Sequence, residues 1–223
     1  MCGRFTLRTP AHVLAQVFDV TDVPVFSPRY NIAPTQDVLA VTLNDQQKRG
    51  VVLLRWGLIP SWADDPKIGS RMINARAESV RTKPSFRHAF KHNRCLILAD
   101  GFFEWQKQGA TKQPMLIGQR DGRPFAFAGL WERWQKGPQE IMSCTIITTE
   151  ANDFMRPVHD RMPVILSPGD HDQWLTADPS DAEQLLRPSS TAELTMIPVS
   201  KVVNSPRNDV PECVEPVAPS SLF

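Results

Sequence analysis

A cysteine directly follows the initiator methionine in "MCGRF". Once Met1 is removed, Cys2 presents an α-amine and a thiol on one carbon frame, two nucleophiles able to meet the same electrophile. Three other segments set polar groups beside aromatic or strand-forming residues. "MINARAES" carries Asn74, Arg76 and Glu78, "LADGFFEWQ" carries Asp100 and Glu104 next to Trp105, and "PVHDRMPVIL" carries His159, Asp160 and Arg161. Singly, each has an ordinary structural reading. A histidine is more often structural than catalytic, Glu104 can pair with an arginine, and Asn74 can satisfy a turn. Converging on Cys2, they would supply a nucleophile, an acid–base pair and an orienting amide.

Groups so far apart along the chain meet only if long-range pairing brings them together. "VVLLRWGL", "RCLILAD", "QPMLIG", "PFAFAGLW" and "IMSCTIITT" read as strands, several apolar throughout and so buried on both faces. "LTMIPV" reads as a last strand. "TPAHVLAQVF" predicts a helix with Thr9 as N-cap, Pro10 at the first position, and Val13, Leu14, Val17 and Phe18 on one face. "PSFRHAFKH", "SPGDHDQWL" (with Ser167 as N-cap) and "TADPSDAEQLL" predict further short helices. Strands dominate, so the expected fold is α+β: a single domain over 1–223 on a curved, mainly antiparallel, barrel-like sheet with peripheral helices. The tail from about residue 205 reads as irregular.

The 223 residues suffice for one sizeable core. No apolar run approaches the roughly 20 residues that span a bilayer, and the N-terminus has no secretory pattern. Cys2, Cys95, Cys144 and Cys213 are scattered without a CxxC spacing, which argues against a zinc site or a disulfide framework and suits a reducing cytoplasm. The net charge of +1 hides an asymmetry: residues 1–100 carry a balance of +6 and residues 101–223 one of −5. From Lys67 to Arg94 eight cations face only Glu78. A solvated face is the ordinary explanation of such a run. Its density also suits a polyanion such as nucleic acid.

The blocks "MCGRF", "RYNIAP", "RWGLIPSW", "INARAES", "LADGFFEW", "KQPMLI" and "VHDRMPVIL" occur in this order over roughly the first three-quarters of the chain. In this the chain resembles the SRAP (SOS-response-associated peptidase) family, whose members shield abasic sites in single-stranded DNA. The resemblance implies a β-rich α+β fold with a positively charged DNA channel. It implies Cys2 as nucleophile, Asn74 as orienting amide, and Glu104 and His159 as the acid–base pair. It places DNA contacts on Arg4, Arg76 and Arg161, on Trp56 and Trp62, and on Pro34 and Thr148. From sequence alone, Trp56 in its apolar strand reads as buried and Trp62, beside Pro60 and Asp64, as exposed. No cofactor or metal is implied, and the expected partner is single-stranded DNA containing abasic sites, met by a monomer.

The resemblance gives "MC" a chemical reason. An abasic deoxyribose opens to an aldehyde; an α-amine converts it to an imine, and the neighbouring thiol closes a thiazolidine. Glu104 is expected to move protons during imine formation, His159 to protonate the sugar oxygen, and Asn74 to hold the amine. Two other readings stand beside this one. In a thiol autopeptidase or N-terminal-nucleophile hydrolase, Cys2 attacks a peptide carbonyl; in a non-covalent single-strand-binding module, Cys2 is only structural.

Overall fold

The computed structural model describes residues 2–217. The first half of the chain runs β1 (Phe5–Leu7), α1 (Ala11–Phe18), β2 (Arg29–Ile32), β3 (Asp37–Leu43), β4 (Arg49–Trp56), β5 (Asn74–Arg76), α2 (Ala77–Val80), α3 (Arg87–His92) and β6 (Arg94–Ala99). Then follow β7 (Gly101–Gln108), β8 (Thr111–Gln119), β9 (Phe125–Trp134), β10 (Ile141–Glu150), β11 (Arg161–Pro163), β12 (Ile165–Leu166), α4 (His171–Thr176), α5 (Pro179–Glu183) and β13 (Leu194–Pro198). The architecture is the expected α+β fold with a mainly antiparallel sheet. No helix among the described residues is long and apolar enough to cross a membrane.

Strands β4, β3, β6, β9 and β10 pair in sequence, and β10 pairs back to β4, so these five strands close a ring. Only the β10–β4 step is parallel. Closure removes the open edges of these apolar strands, and β6 is buried along its whole length, as its unbroken apolar run predicts. A second, wholly antiparallel sheet has the order β13-β8-β7-β1-β2.

The second sheet is covered on both faces. Toward the ring, Phe5 meets Trp56 edge-on at 5.1 Å and Phe127 at 5.7 Å, while Phe102 meets Phe127 at 6.0 Å. Such aromatic pairs add about 0.5–1.5 kcal/mol each beyond the area they bury. On the opposite face Phe103 and Leu116 pack against Val199, Val203 and Cys213. Side chains alternate along a strand, so Glu104 shares the face of Phe102 and points toward the ring. The residues of "FFE" are buried because both faces of β7 are covered.

Two expectations change. The α1 N-cap is Pro10, not Thr9; Thr9 gives its N–H and hydroxyl to Asp100 at 2.8 and 2.9 Å instead. Ser167 does hold the N-cap position with Pro168 first, but of a single 3-10 turn and without a side-chain cap, and α4 begins only after that turn. The tail is docked on the fold: Cys213 is buried and Pro216 bridges Val199. Residues 218–223 lie outside the described residues.

Candidate active site and DNA-facing surface

Strand β10 is long enough to serve different partners along its length. Its first part pairs with β4 at Ser143 and Cys144; its later part pairs with β5, placing Ile146 opposite Asn74 and Thr148 opposite Arg76. The switch occurs at Gly57, which follows Trp56 with φ 128°; a Cβ there would lie 2.6 Å from the Gly69 carbonyl oxygen. On the other side of β10, Thr148 pairs with Pro163 and Glu150 with Arg161. The end of β10 thus gathers Asn74, Arg76 and Arg161.

Strand β1 brings Cys2 to this end. Phe5 pairs with Phe102, Thr6 with Gly101, and Phe103 N donates to the Arg4 carbonyl at 2.9 Å. Continuing this antiparallel register upstream sets Gly3 opposite Glu104. Cys2 is fully buried, and Asn74 Nδ2 donates to its carbonyl oxygen at 2.8 Å. Asn74 therefore clamps the backbone of Cys2, where the sequence reading had it hold the amine. Its Oδ1 is buried without a hydrogen-bond partner among the described residues.

The electrostatics of this group follow from burial. Burial, then the charge of Glu104, pushes the Cys2 thiol well above its ordinary range, so the resting thiol is protonated. Burial also raises Glu104 to about 7, with Asp160 adding to the effect. A carboxyl poised there can both take and return a proton near neutrality. His159 is pulled the other way, its pKa lowered chiefly by burial. Its Nδ1 accepts from Arg161 N at 2.9 Å and also lies 2.8 Å from Asp160 Oδ1. These contacts ask for opposite states, a lone pair for the N–H and a proton for the carboxylate. Burial favours the neutral ring, in which Nδ1 is able to accept the Arg161 N–H.

Asp100 leaves the list of candidates for chemistry. It accepts from Thr6 Oγ1 at 2.6 Å, from Arg8 N, and from both donors of Thr9, fastening β1 and the entry to α1 onto the β6–β7 corner.

The expected DNA contacts divide. Arg76 is exposed and has no ion pair among the described residues. Arg161 is mostly covered; it forms a bidentate pair with Glu78 at 2.7 and 3.0 Å and donates to the Thr148 carbonyl at 2.5 Å. Arg4 is held in a clasp, donating to Asn31 Oδ1 and the Val203 carbonyl, both at 2.9 Å, and lying over the Trp105 ring. Pro34 is half-buried in the turn between β2 and β3. Two expectations are corrected. Trp56 is fully buried, with Nε1 on the Ile73 carbonyl, so it is a core residue and cannot stack on a base. Thr148 is fully buried against Ala75 and Arg161 and supports that arginine from within.

Trp62 is 52% exposed. It stands between two shallow hollows, one edged by Arg87 and His88, the other by Lys67 and Arg71. Much of the basic run is surface: Lys67, Arg71, Arg76, Lys83, Arg87 and Lys91 are exposed. Arg94 is an exception, buried and spent on the Phe90, Trp174 and Ala177 carbonyls. Sequence reasoning missed Asn31, whose amide nitrogen donates to the Val203, Ser205 and Asn208 carbonyls. A polar side chain inside the short block "RYNIAP" was the available signal.

Comparison with known proteins shows the family. The family model described as SOS response associated peptidase (SRAP) matches residues 1–206. "Abasic site processing protein YoqW" of Bacillus subtilis is 44% identical over 223 residues, covering 96% of this chain and 99% of that protein. "Abasic site processing protein YedK" of Escherichia coli is 32% identical over 229 residues, covering 97% and 100%. A crystal structure of a Bacteroides thetaiotaomicron protein superposes with a TM-score of 0.87 at 27% identity, covering 97% of this chain and all of that one.

Proposed function

The chain belongs to the SRAP family, and we propose that it processes abasic sites in single-stranded DNA by capturing their aldehyde on Cys2. The observation that carries this reading is the buried Glu104, poised at about 7 and close enough to Cys2 to raise the thiol's proton affinity.

After loss of Met1, the Cys2 amine adds to the ring-opened aldehyde, and water leaves to give an imine. The thiol then adds across the C=N bond: the C–S bond forms and the thiol proton passes to nitrogen. One water is released overall, and no oxidant or cofactor is needed. Glu104 accepts the amine proton and returns it to the departing hydroxyl. His159, in the fraction that carries a second ring proton, gives it to the sugar oxygen as the furanose opens and ends neutral, the form that its surroundings favour. Asn74 fixes the Cys2 carbonyl so that amine and thiol face one carbon.

A thiol that is buried and protonated suits this order, amine first and sulfur second. A thiol peptidase needs the opposite, a thiol with lowered pKa beside a base. For binding, we assign phosphate contacts to Arg76 and to Arg161, base stacking to Trp62, and a flanking role to Pro34. The exposed cations around them give a sequence-independent attraction to the strand.

Intact-mass measurement after incubation with abasic single-stranded DNA tests the reading. The expected product is the sum of protein and strand less one water, stable to heat. Cys2→Ala, with Met1 removed, should give no heat-stable product yet be trapped by borohydride. A variant with an extra residue before Cys2 should do neither; stable crosslinking by it would overturn the aminothiol mechanism.

A further inference from the structure

Asp160 follows His159 at the end of the connection from β10 to β11, and its side chain is 86% exposed. Backbone bonds fix this pair from both sides: His159 N donates to the Met155 carbonyl and Ala151 N to the Asp160 carbonyl, both at 3.0 Å. Met155 is fully buried, and its own N–H is held by Asn152 Oδ1 at 2.9 Å. The imidazole is thus seated by main-chain contacts. The Asp160 carboxylate lies 2.8 Å from Nδ1 and has no other ion-pair partner among the described residues. A solvated carboxylate of this kind adds little to the fold, so its effect falls on the ring that it touches.

Two groups meet Nδ1 and cannot be satisfied together. The Arg161 N–H, at 2.9 Å, needs a lone pair there, and the Asp160 carboxylate needs a proton. The first contact suits a neutral ring with a bare Nδ1. The second belongs to the charged ring, in which both nitrogens carry protons. Burial and then the positive amino terminus work against that charged ring, as does the Arg161 guanidinium, which Glu78 partly offsets; Asp160 works for it.

We propose that Asp160 positions the acid of the ring-opening step: its carboxylate takes the Nδ1–H of charged His159, which leaves the Nε2 proton as the one that passes to the sugar oxygen. This rests on the reading of His159 as the group that opens the furanose. After the transfer Nε2 keeps the electron pair, and the neutral ring still holds its Nδ1 proton against Asp160. Without the carboxylate the charged ring is rarer, and the Arg161 N–H claims Nδ1 instead.

Asp160→Asn keeps the shape and removes the charge. In the full chain, with Met1 removed and histidine labelled in nitrogen-15, the His159 ring should titrate at lower pH in this variant than in the natural protein. At neutral pH the variant should crosslink to abasic single-stranded DNA about threefold more slowly in a single turnover, the effect of one exposed ion pair. Asp160→Glu should recover part of that rate. Asp160 also acts on Glu104, but a loss that runs through Glu104 persists in a His159→Ala background, whereas a loss that runs through the ring disappears there. An unchanged ring titration, or a loss that persists without His159, would overturn the proposal. If His159→Ala alone crosslinks at the natural rate, the acid role of His159 falls and the proposal with it, whatever the ring titration shows.

Discussion

Asn74 and Cys2 are joined through the backbone: the side-chain amide of one donates to the carbonyl oxygen of the other at 2.8 Å. An asparagine used this way positions Cys2 without altering its charge. Asn74→Asp is nearly isosteric but sets an acceptor against that carbonyl. Both Asn74→Ala and Asn74→Asp should therefore slow adduct formation, by about tenfold for one lost buried hydrogen bond. Single-turnover rates on abasic DNA check this, and full activity of the Asp variant would mean the clamp does not matter.

Glu104 should leave a mark on stability as well as rate. Its folded pKa is raised by burial to about 7 from an ordinary 4.5. Between those values the folded protein keeps a proton that the unfolded chain has lost, so stability falls as pH rises through this window and levels off above it. Glu104→Gln should lack that fall and be more stable than the natural protein above pH 7, by about 3 kcal/mol. Denaturant titrations at several pH values measure the difference. The same variant should react slowly while binding undamaged strands normally.

Glu78 covers Arg161 with a bidentate pair. Glu78→Gln removes the opposing charge and should tighten single-stranded DNA binding a few-fold, steepening the salt dependence by about 0.7 in the log–log slope, the value for one phosphate contact. Arg76→Ala should lower that slope by a similar amount. Arg161→Ala should lower affinity but also cost stability, because its guanidinium holds the Thr148 carbonyl. Fluorescence anisotropy across a salt series distinguishes these outcomes.

The two tryptophans of "RWGLIPSW" should behave oppositely. Trp56→Ala empties a fully buried site and should cost about 3–5 kcal/mol of stability. Trp62→Ala should change stability little and weaken DNA binding by about 1–3 kcal/mol, the value of one base stack. Thermal melts and binding curves on the same samples suffice.

The burial of Trp56 was legible in its apolar neighbours, as were β4, β6, β9 and β10 of the ring; β3 was not read from the sequence, and β4 is covered on one side only, with Leu53 exposed. The three residues of β5 were not legible either. Asn74–Arg76 is short and polar, and it is a strand only because β10 offers its edge. The capping error at Thr9 has a similar origin: Asp100, far along the chain, outcompetes the local helix for that side chain. The candidate residues themselves could be named from the blocks that carry them. Their meeting could not, since it depends on β1 pairing with β7 across nearly 100 positions. Composition likewise could not separate Arg94, sunk in the interior, from the surface cations beside it in sequence.

The clasp on Arg4 ties the strand behind Cys2 to carbonyls at Val203 and, more loosely, Asn204. Those carbonyls lie 199 and 200 positions further along the chain. Contacts of such long sequence separation close late in folding. The segment that carries Cys2 is therefore fixed only when a distant stretch of the same polypeptide has docked beside it, so damage near Val203 would be felt at Cys2 although the two are far apart in sequence.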